Sequence, residues 1–76
     1  MSIAFRRGWA TVSYSVYVYS SDGEMKAYLG GKLIAVAKSI PELVEEVRKW
    51  FIAHDIHGEV KIVDRTTLTK IAEIRV

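Results

Sequence analysis

The chain has 76 residues, a formal net charge of +2, 50% hydrophobic residues and no cysteine. That length makes one domain with a thin margin of stability, because a short chain buries a smaller fraction of its surface than a long one. The lack of cysteine excludes disulfides, thiolate metal sites and a thiol nucleophile, and so mild a charge permits an anionic partner without demanding one.

Residues 1–8 read as a short basic arm carrying Arg6, Arg7 and Gly8, ahead of a single α+β domain over 9–76. A first strand is expected over 9–20. Alternate residues of a strand face opposite ways, so Val12, Tyr14, Val16 and Val18 form one face. Trp9, Thr11, Ser13, Ser15, Tyr17 and Tyr19 form the other. Asp22-Gly23 is a hairpin signal, since a type I′ turn needs positive φ at both central residues. A second strand follows over 24–29, Gly30-Gly31 offers another two-residue turn, and a third strand covers 32–38.

The two turns fix a register. Counting outward from Asp22-Gly23 sets Ser21 opposite Glu24, Tyr19 opposite Lys26, Val18 opposite Ala27 and Tyr17 opposite Tyr28. Counting from Gly30-Gly31 sets Ala27 opposite Ile34 and Met25 opposite Val36. The expected core face is then Val16, Val18, Met25, Ala27, Leu29, Ile34 and Val36. The expected outer face is Tyr17, Tyr19, Lys26, Tyr28, Leu33 and Ala35.

Ser39 with Glu42 three residues on is a capping box, with Pro41 tolerated in the first turn. The helix it opens carries an apolar stripe of Ile40, Leu43, Val44, Val47, Trp50, Phe51 and His54. Glu42, Glu45 and Glu46 suit its N-terminal half, Arg48 and Lys49 its C-terminal half. Gly58 is the expected stop, after an exit segment over 54–57. A fourth strand is expected over 59–64, with Val60 and Ile62 inward and Lys61 and Val63 outward. A turn over 64–67 leads to a fifth strand over 68–76. There Ala72, Ile74 and Val76 share one side, and Ile71, Glu73 and Arg75 the other.

The order β-β-β-α-β-β with a right-handed crossover predicts a five-stranded mixed sheet, order 3-2-1-4-5, with one helix on one face. Strand one is central, and its aromatics sit on the uncovered side. Tyr17, Tyr19 and Tyr28 would cluster there, with Trp9 at one end and Lys26, Lys61 and Arg75 around them. Aromatics interleaved with basic residues stack bases and hold phosphates, and Arg6 and Arg7 of the arm suit phosphate contacts. The expected function is a small non-enzymatic protein binding DNA or RNA through this face. The alternative is a protein-interaction module, a homodimer or an antitoxin-like adaptor, that buries the same face. Leu33, Ala35, Val63 and Ile71 belong to the expected patch and favour the alternative.

His54-Asp55-Ile56-His57 matches no zinc spacing and reads as helix-end capping. Asp64, Asp55 and Glu59 form no triad or carboxylate pair with the histidines, and no phosphate-cradling glycine motif is present. No cofactor or small-molecule substrate is therefore expected. The chain contains no Asn and no Gln while Ile, Val, Lys and Glu are plentiful, the hyperthermophile pattern. A thermophilic source, archaeal or a virus of one, is expected. No apolar run reaches the length of a membrane span and residues 1–7 lack the apolar segment of a signal peptide, so a cytoplasmic protein without membrane contact is expected.

The strand over 32–38 followed by Ser39-Ile40-Pro41-Glu42-Leu43, within the stretch Lys32 to Trp50, resembles in layout the half-RNase-H modules of HicB-type antitoxins. It covers less than half the chain. The glycine-cysteine element usual before that helix is absent, as is a second DNA-binding segment. Three strands followed by a helix are also similar to integrase-type DNA-binding sheets.

Overall fold

A computed structural model describes residues 12–76. The expectations for Arg6, Arg7 and Trp9 lie outside the described residues. The elements are β1 (Ser13–Ser21), β2 (Glu24–Leu29), β3 (Lys32–Ala37), α1 (Ile40–Ala53), β4 (Glu59–Asp64) and β5 (Lys70–Arg75). They form a five-stranded mixed sheet of order β3-β2-β1-β4-β5, with α1 packed on one face. β1 is central, antiparallel to β2 and parallel to β4. This is the fold the sequence predicts.

Turn chemistry sets the first half. Asp22 and Gly23 have φ of 55° and 74°, and Gly30 and Gly31 have 58° and 82°, the paired positive values of type I′ turns. The β1–β2 register follows, with Ser21 opposite Glu24, Tyr19 opposite Lys26, Val18 opposite Ala27 and Tyr17 opposite Tyr28.

The β2–β3 register departs from expectation. Tyr28 pairs with Leu33 but Ala27 pairs with Ala35, so Ile34 is an extra residue in a bulge. Beyond it the faces exchange. Ile34, Ala35 and Ala37 are buried, and Val36, opposite Lys26, is exposed. Val36 was expected in the core and Ala35 outside; both are reversed. The physical reason is the helix, which lies mainly over β3. Two alanines beneath it permit a close approach that valine would obstruct.

β5 is corrected in the same way. Ile62 pairs with Ala72 and Val63 with Lys70, which leaves Ile71 in a second bulge. Ile71 was expected on the outer face; it packs against the core beside Ala72, Ile74 and Val76. β5 also starts later than expected, because the turn before it is longer. The Asp64 carboxylate accepts the N–H groups of Thr66 and Thr67, at 2.8 and 3.2 Å. The Leu68 N–H donates to the Asp64 carbonyl, and the Asp64 N–H to the Thr69 carbonyl. Leu68 adopts φ of 60° to close this loop. Both sheet edges, β3 and β5, are thus bulged, which discourages pairing with another strand.

The core joins Val16, Val18 and Ala27 with Val60 and Ile62 beneath Leu43, Val47 and Phe51 of α1, all essentially inaccessible to solvent. Tyr14 meets Phe51 edge-on at 5.4 Å. Val12, expected on the core face, precedes β1 and is exposed. At the helix start Ser39 Oγ accepts the Glu42 N–H at 3.3 Å, and Glu42 Oε1 reaches the Lys38 N–H, one residue before the expected Ser39.

The helix end corrects another expectation. The Ile56 N–H donates to the Phe51 carbonyl and the Asp55 N–H to the Ile52 carbonyl. Asp55 has φ of 55°. This is a Schellman stop with aspartate at the position that usually holds glycine, and Ile56 packs on the core as the motif requires. The last turn carries no basic residue; Arg48 and Lys49 stand further back. Gly58 does a different job. It has φ of 151°, exchanges two 3.0 Å hydrogen bonds with Val76, and lies where a Cβ would stand 2.3 Å from the Val12 carbonyl oxygen.

Candidate nucleic-acid or protein interface

The sheet face opposite α1 is uncovered among the described residues. Pairing places its side chains in rows. Val36, Lys26 and Tyr19 form one row; Leu33, Tyr28, Tyr17 and Val63 form the next. Ser15, Lys61 and Glu73 make a third, and Ser13, Glu59 and Arg75 a fourth. The predicted cluster of Tyr17, Tyr19 and Tyr28 is therefore assembled at the middle of the face. Tyr19 and Tyr28 pack edge to face, 5.5 Å apart at 90°, a favoured aromatic geometry.

Arg65, in the turn after β4, completes the cluster. Arg65 donates its backbone N–H to the Val18 carbonyl at 2.9 Å. Its guanidinium carbon lies 5.9 Å from the centre of the Tyr17 ring, within cation–π range. The three tyrosines, Arg65 and Gly31 line an open concavity of about 350 Å³.

The predicted basic residues do not behave alike. Lys26 is exposed and makes no ion pair among the described residues. Arg75 is bound by Glu59 at 2.6 Å, and Arg48 of the helix donates to its carbonyl at 3.4 Å. Lys70 pairs with Glu73 at 2.7 Å. Glu73 is held below its ordinary value of 4.5 by the Lys70 hydrogen bond first, by the Lys70 charge next, and by the charge of Lys61. On the β4–β5 side of the face Arg75 and Lys70 are thus paired, and Lys61, exposed opposite Glu73, makes no ion pair among the described residues. Of the cations without an ion pair among the described residues, Lys26 and Arg65 stand beside the tyrosines and Lys61 stands in the next row. The apolar rim is Leu33 and Val36, 45% and 40% exposed; Ala35 and Ile71, expected in this patch, have left it.

The histidines sit elsewhere. His54 Nδ1 is 2.9 Å from the Trp50 carbonyl and its ring stacks on Trp50 at 4.0 Å. Lys32 lies 5.9 Å from the Trp50 ring. His57 Nε2 meets Asp55 Oδ1 at 2.8 Å in solvent. Asp64 stands at the far end of β4 from them, roughly 17 Å of strand away, with its carboxylate committed to the turn. No group of three His, Asp or Glu side chains gathers as a metal site among the described residues. Among the described residues no helix is long and apolar enough to cross a membrane.

Comparison with known proteins finds no matching family model, no matching curated protein and no matching solved structure. The likeness to antitoxin and integrase modules is one of layout, and layout does not assign function.

Proposed function

We propose that this domain is a non-enzymatic nucleic-acid-binding module that uses its open sheet face. One observation carries the reading: Tyr17, Tyr19 and Tyr28 line a single concavity together with Arg65, and Lys26 lies in the adjoining row. Exposed rings provide sequence-tolerant stacking, and the cations provide phosphate contacts. The mild net charge predicts modest affinity that falls with salt. A thermophilic source belongs to the same reading and rests on composition alone: no Asn, Gln or Cys in the chain.

The test is fluorescence anisotropy with labelled single- and double-stranded DNA and RNA at low and high salt. Micromolar or tighter, salt-sensitive binding is expected. Tyr17→Ala should weaken it by roughly ten-fold, since a stacked base contributes about 1–3 kcal/mol. No binding at low salt refutes the reading.

A second reading, a homodimer through the same face, is favoured by exposed Leu33 and Val36 beside the tyrosines and by the ion-paired Arg75 and Lys70 of the β4–β5 side. It predicts a salt-tolerant dimer by sedimentation that Tyr17→Glu dissociates, because a buried unpaired charge is costly. Lys26→Gln with Arg65→Gln, which removes both cations and introduces no new charge on the face, separates the two readings. The pair abolishes nucleic-acid binding and leaves a dimer largely intact.

A further inference from the structure

Arg65 combines three features that no other cation of the face brings together. Its backbone is fixed: the N–H is bonded to Val18, and the turn that follows is held by the Asp64 carboxylate. Its guanidinium lies over Tyr17. It has no carboxylate partner among the described residues, whereas Arg75 and Lys70 have Glu59 and Glu73. An unpaired guanidinium held beside an aromatic wall offers a planar fork to a phosphate without first giving up an ion pair.

The wall has a shape. A planar group lying flat on one of Tyr19 and Tyr28 stands edge-on to the other, since the two rings are at 90°. Both contacts are then favourable for an aromatic ring. The concavity of about 350 Å³ falls at the small end of the roughly 300–1,000 Å³ range of ligand sites. It runs between the β2–β3 turn at Gly31 and the β4–β5 turn at Arg65. A duplex keeps its bases stacked inside and presents no free ring face to such a recess, whereas a single strand can splay a base out.

We infer that this concavity takes one unpaired base, with a neighbouring phosphate on Arg65, so that the face prefers single-stranded nucleic acid to duplex. The inference rests on the nucleic-acid reading above.

The experiment titrates the full chain against labelled oligo-dT and oligo-U of about ten nucleotides, and a duplex of similar length, from about 50 to about 300 mM salt. The single strands should bind more tightly throughout. Arg65→Gln should weaken them about ten-fold and lower the steepness of log K against log salt by about 0.7, the contribution of one single-strand phosphate. Arg65→Lys should keep the slope, because the charge remains, while losing part of the affinity with the planar fork. Lys49→Gln on the helix, already paired with Glu46, should change neither. Matching thermal melts establish that the variants fold. Binding with an unaltered slope in Arg65→Gln, or tighter binding of duplex, overturns this site and leaves the nucleic-acid reading standing. Absence of binding to every probe at the lowest salt overturns both.

Discussion

Replacing Gly58 by alanine tests the point on which three parts of the fold converge. Gly58 bonds to Val76 beyond the end of β5, and its successor Glu59 donates to the Val12 carbonyl at 2.9 Å, where β1 begins. An added Cβ would lie 2.3 Å from that carbonyl oxygen and 3.1 Å from Tyr14 Cε2. Since real Cβ contacts essentially never fall below 3.0 Å, the backbones must part by about 0.7 Å. That strains the Glu59 hydrogen bond, worth about 0.5–1.5 kcal/mol. The φ of 151° adds about 1–3 kcal/mol for a residue other than glycine. The expected loss is roughly 2–4 kcal/mol, against a total of about 4–11 kcal/mol for a domain of this size. Urea unfolding should show a fall in midpoint at unchanged slope, and the melting temperature should drop by roughly 10–25 °C. Gly31→Ala is the control. Its φ is also positive but no atom lies within 4 Å of the added Cβ, so only the backbone cost of about 1–2 kcal/mol applies. If Gly58→Ala costs no more than Gly31→Ala, the close approach does not constrain the fold and the reasoning fails.

Three further outcomes follow from the geometry. Asp55→Gly should stabilise by about 0.5–1 kcal/mol by relieving the left-handed φ at the helix stop; the exposed pair with His57 contributes too little to offset it, and a destabilised variant in chemical denaturation would contradict this. Phe51→Ala removes a fully buried ring between Tyr14 and Trp50 and should cost about 3–5 kcal/mol, enough to unfold much of the population if stability is at the low end; a loss under about 1 kcal/mol by urea titration would exclude its central place in the core. Glu73 should titrate below 4.5 by NMR, and Lys70→Gln should raise it back. With a depressed folded pKa, its small stabilising effect is present above the unfolded pKa and is lost as pH falls through the folded one; an unshifted Glu73 in the wild type would remove the Lys70 contact.

The fold was legible because independent local signals agreed. Asp22-Gly23 and Gly30-Gly31 set two hairpins, Ser39 and Glu42 the helix start, and the handedness of the crossover the position of β4. What period-two counting missed were the bulges at Ile34 and Ile71. Both fall in runs where two apolar residues stand side by side, Ile34-Ala35 and Ile71-Ala72. In such a run either phase buries something, and alternation alone does not choose. Packing chooses. The small Ala35 and Ala37 go beneath α1, and Val36 turns away. At Ile71, an unbulged strand would set the isoleucine opposite Val63 on the uncovered face, and the bulge lets it pack on the core instead. Sequence alone points to Gly58 and not Asp55 as the helix stop because glycine is the commoner residue there, and it holds no sign that Gly58 is needed for close approach to Val12.

The site was legible in its aromatic half only. Tyr17, Tyr19 and Tyr28 come together through a hairpin register that the turn dictates, so their clustering follows from local sequence. The charged half depends on the parallel β1–β4 pairing, whose register no turn fixes. Val18 opposite Asp64 is what brings Arg65 alongside the tyrosines, and a slip of one residue would turn the β4 side chains to the other face. The antiparallel β4–β5 pairing, a separate one, sets Glu59 against Arg75 and Glu73 against Lys61, which ties up much of the positive charge on that side of the face. Basic residues counted along the chain therefore overstate the reach of this surface. Its capacity for an anion beside the tyrosines lies with Arg65 and Lys26, so double replacement of those two side chains should remove most of a salt dependence that replacement of Arg75 leaves nearly intact.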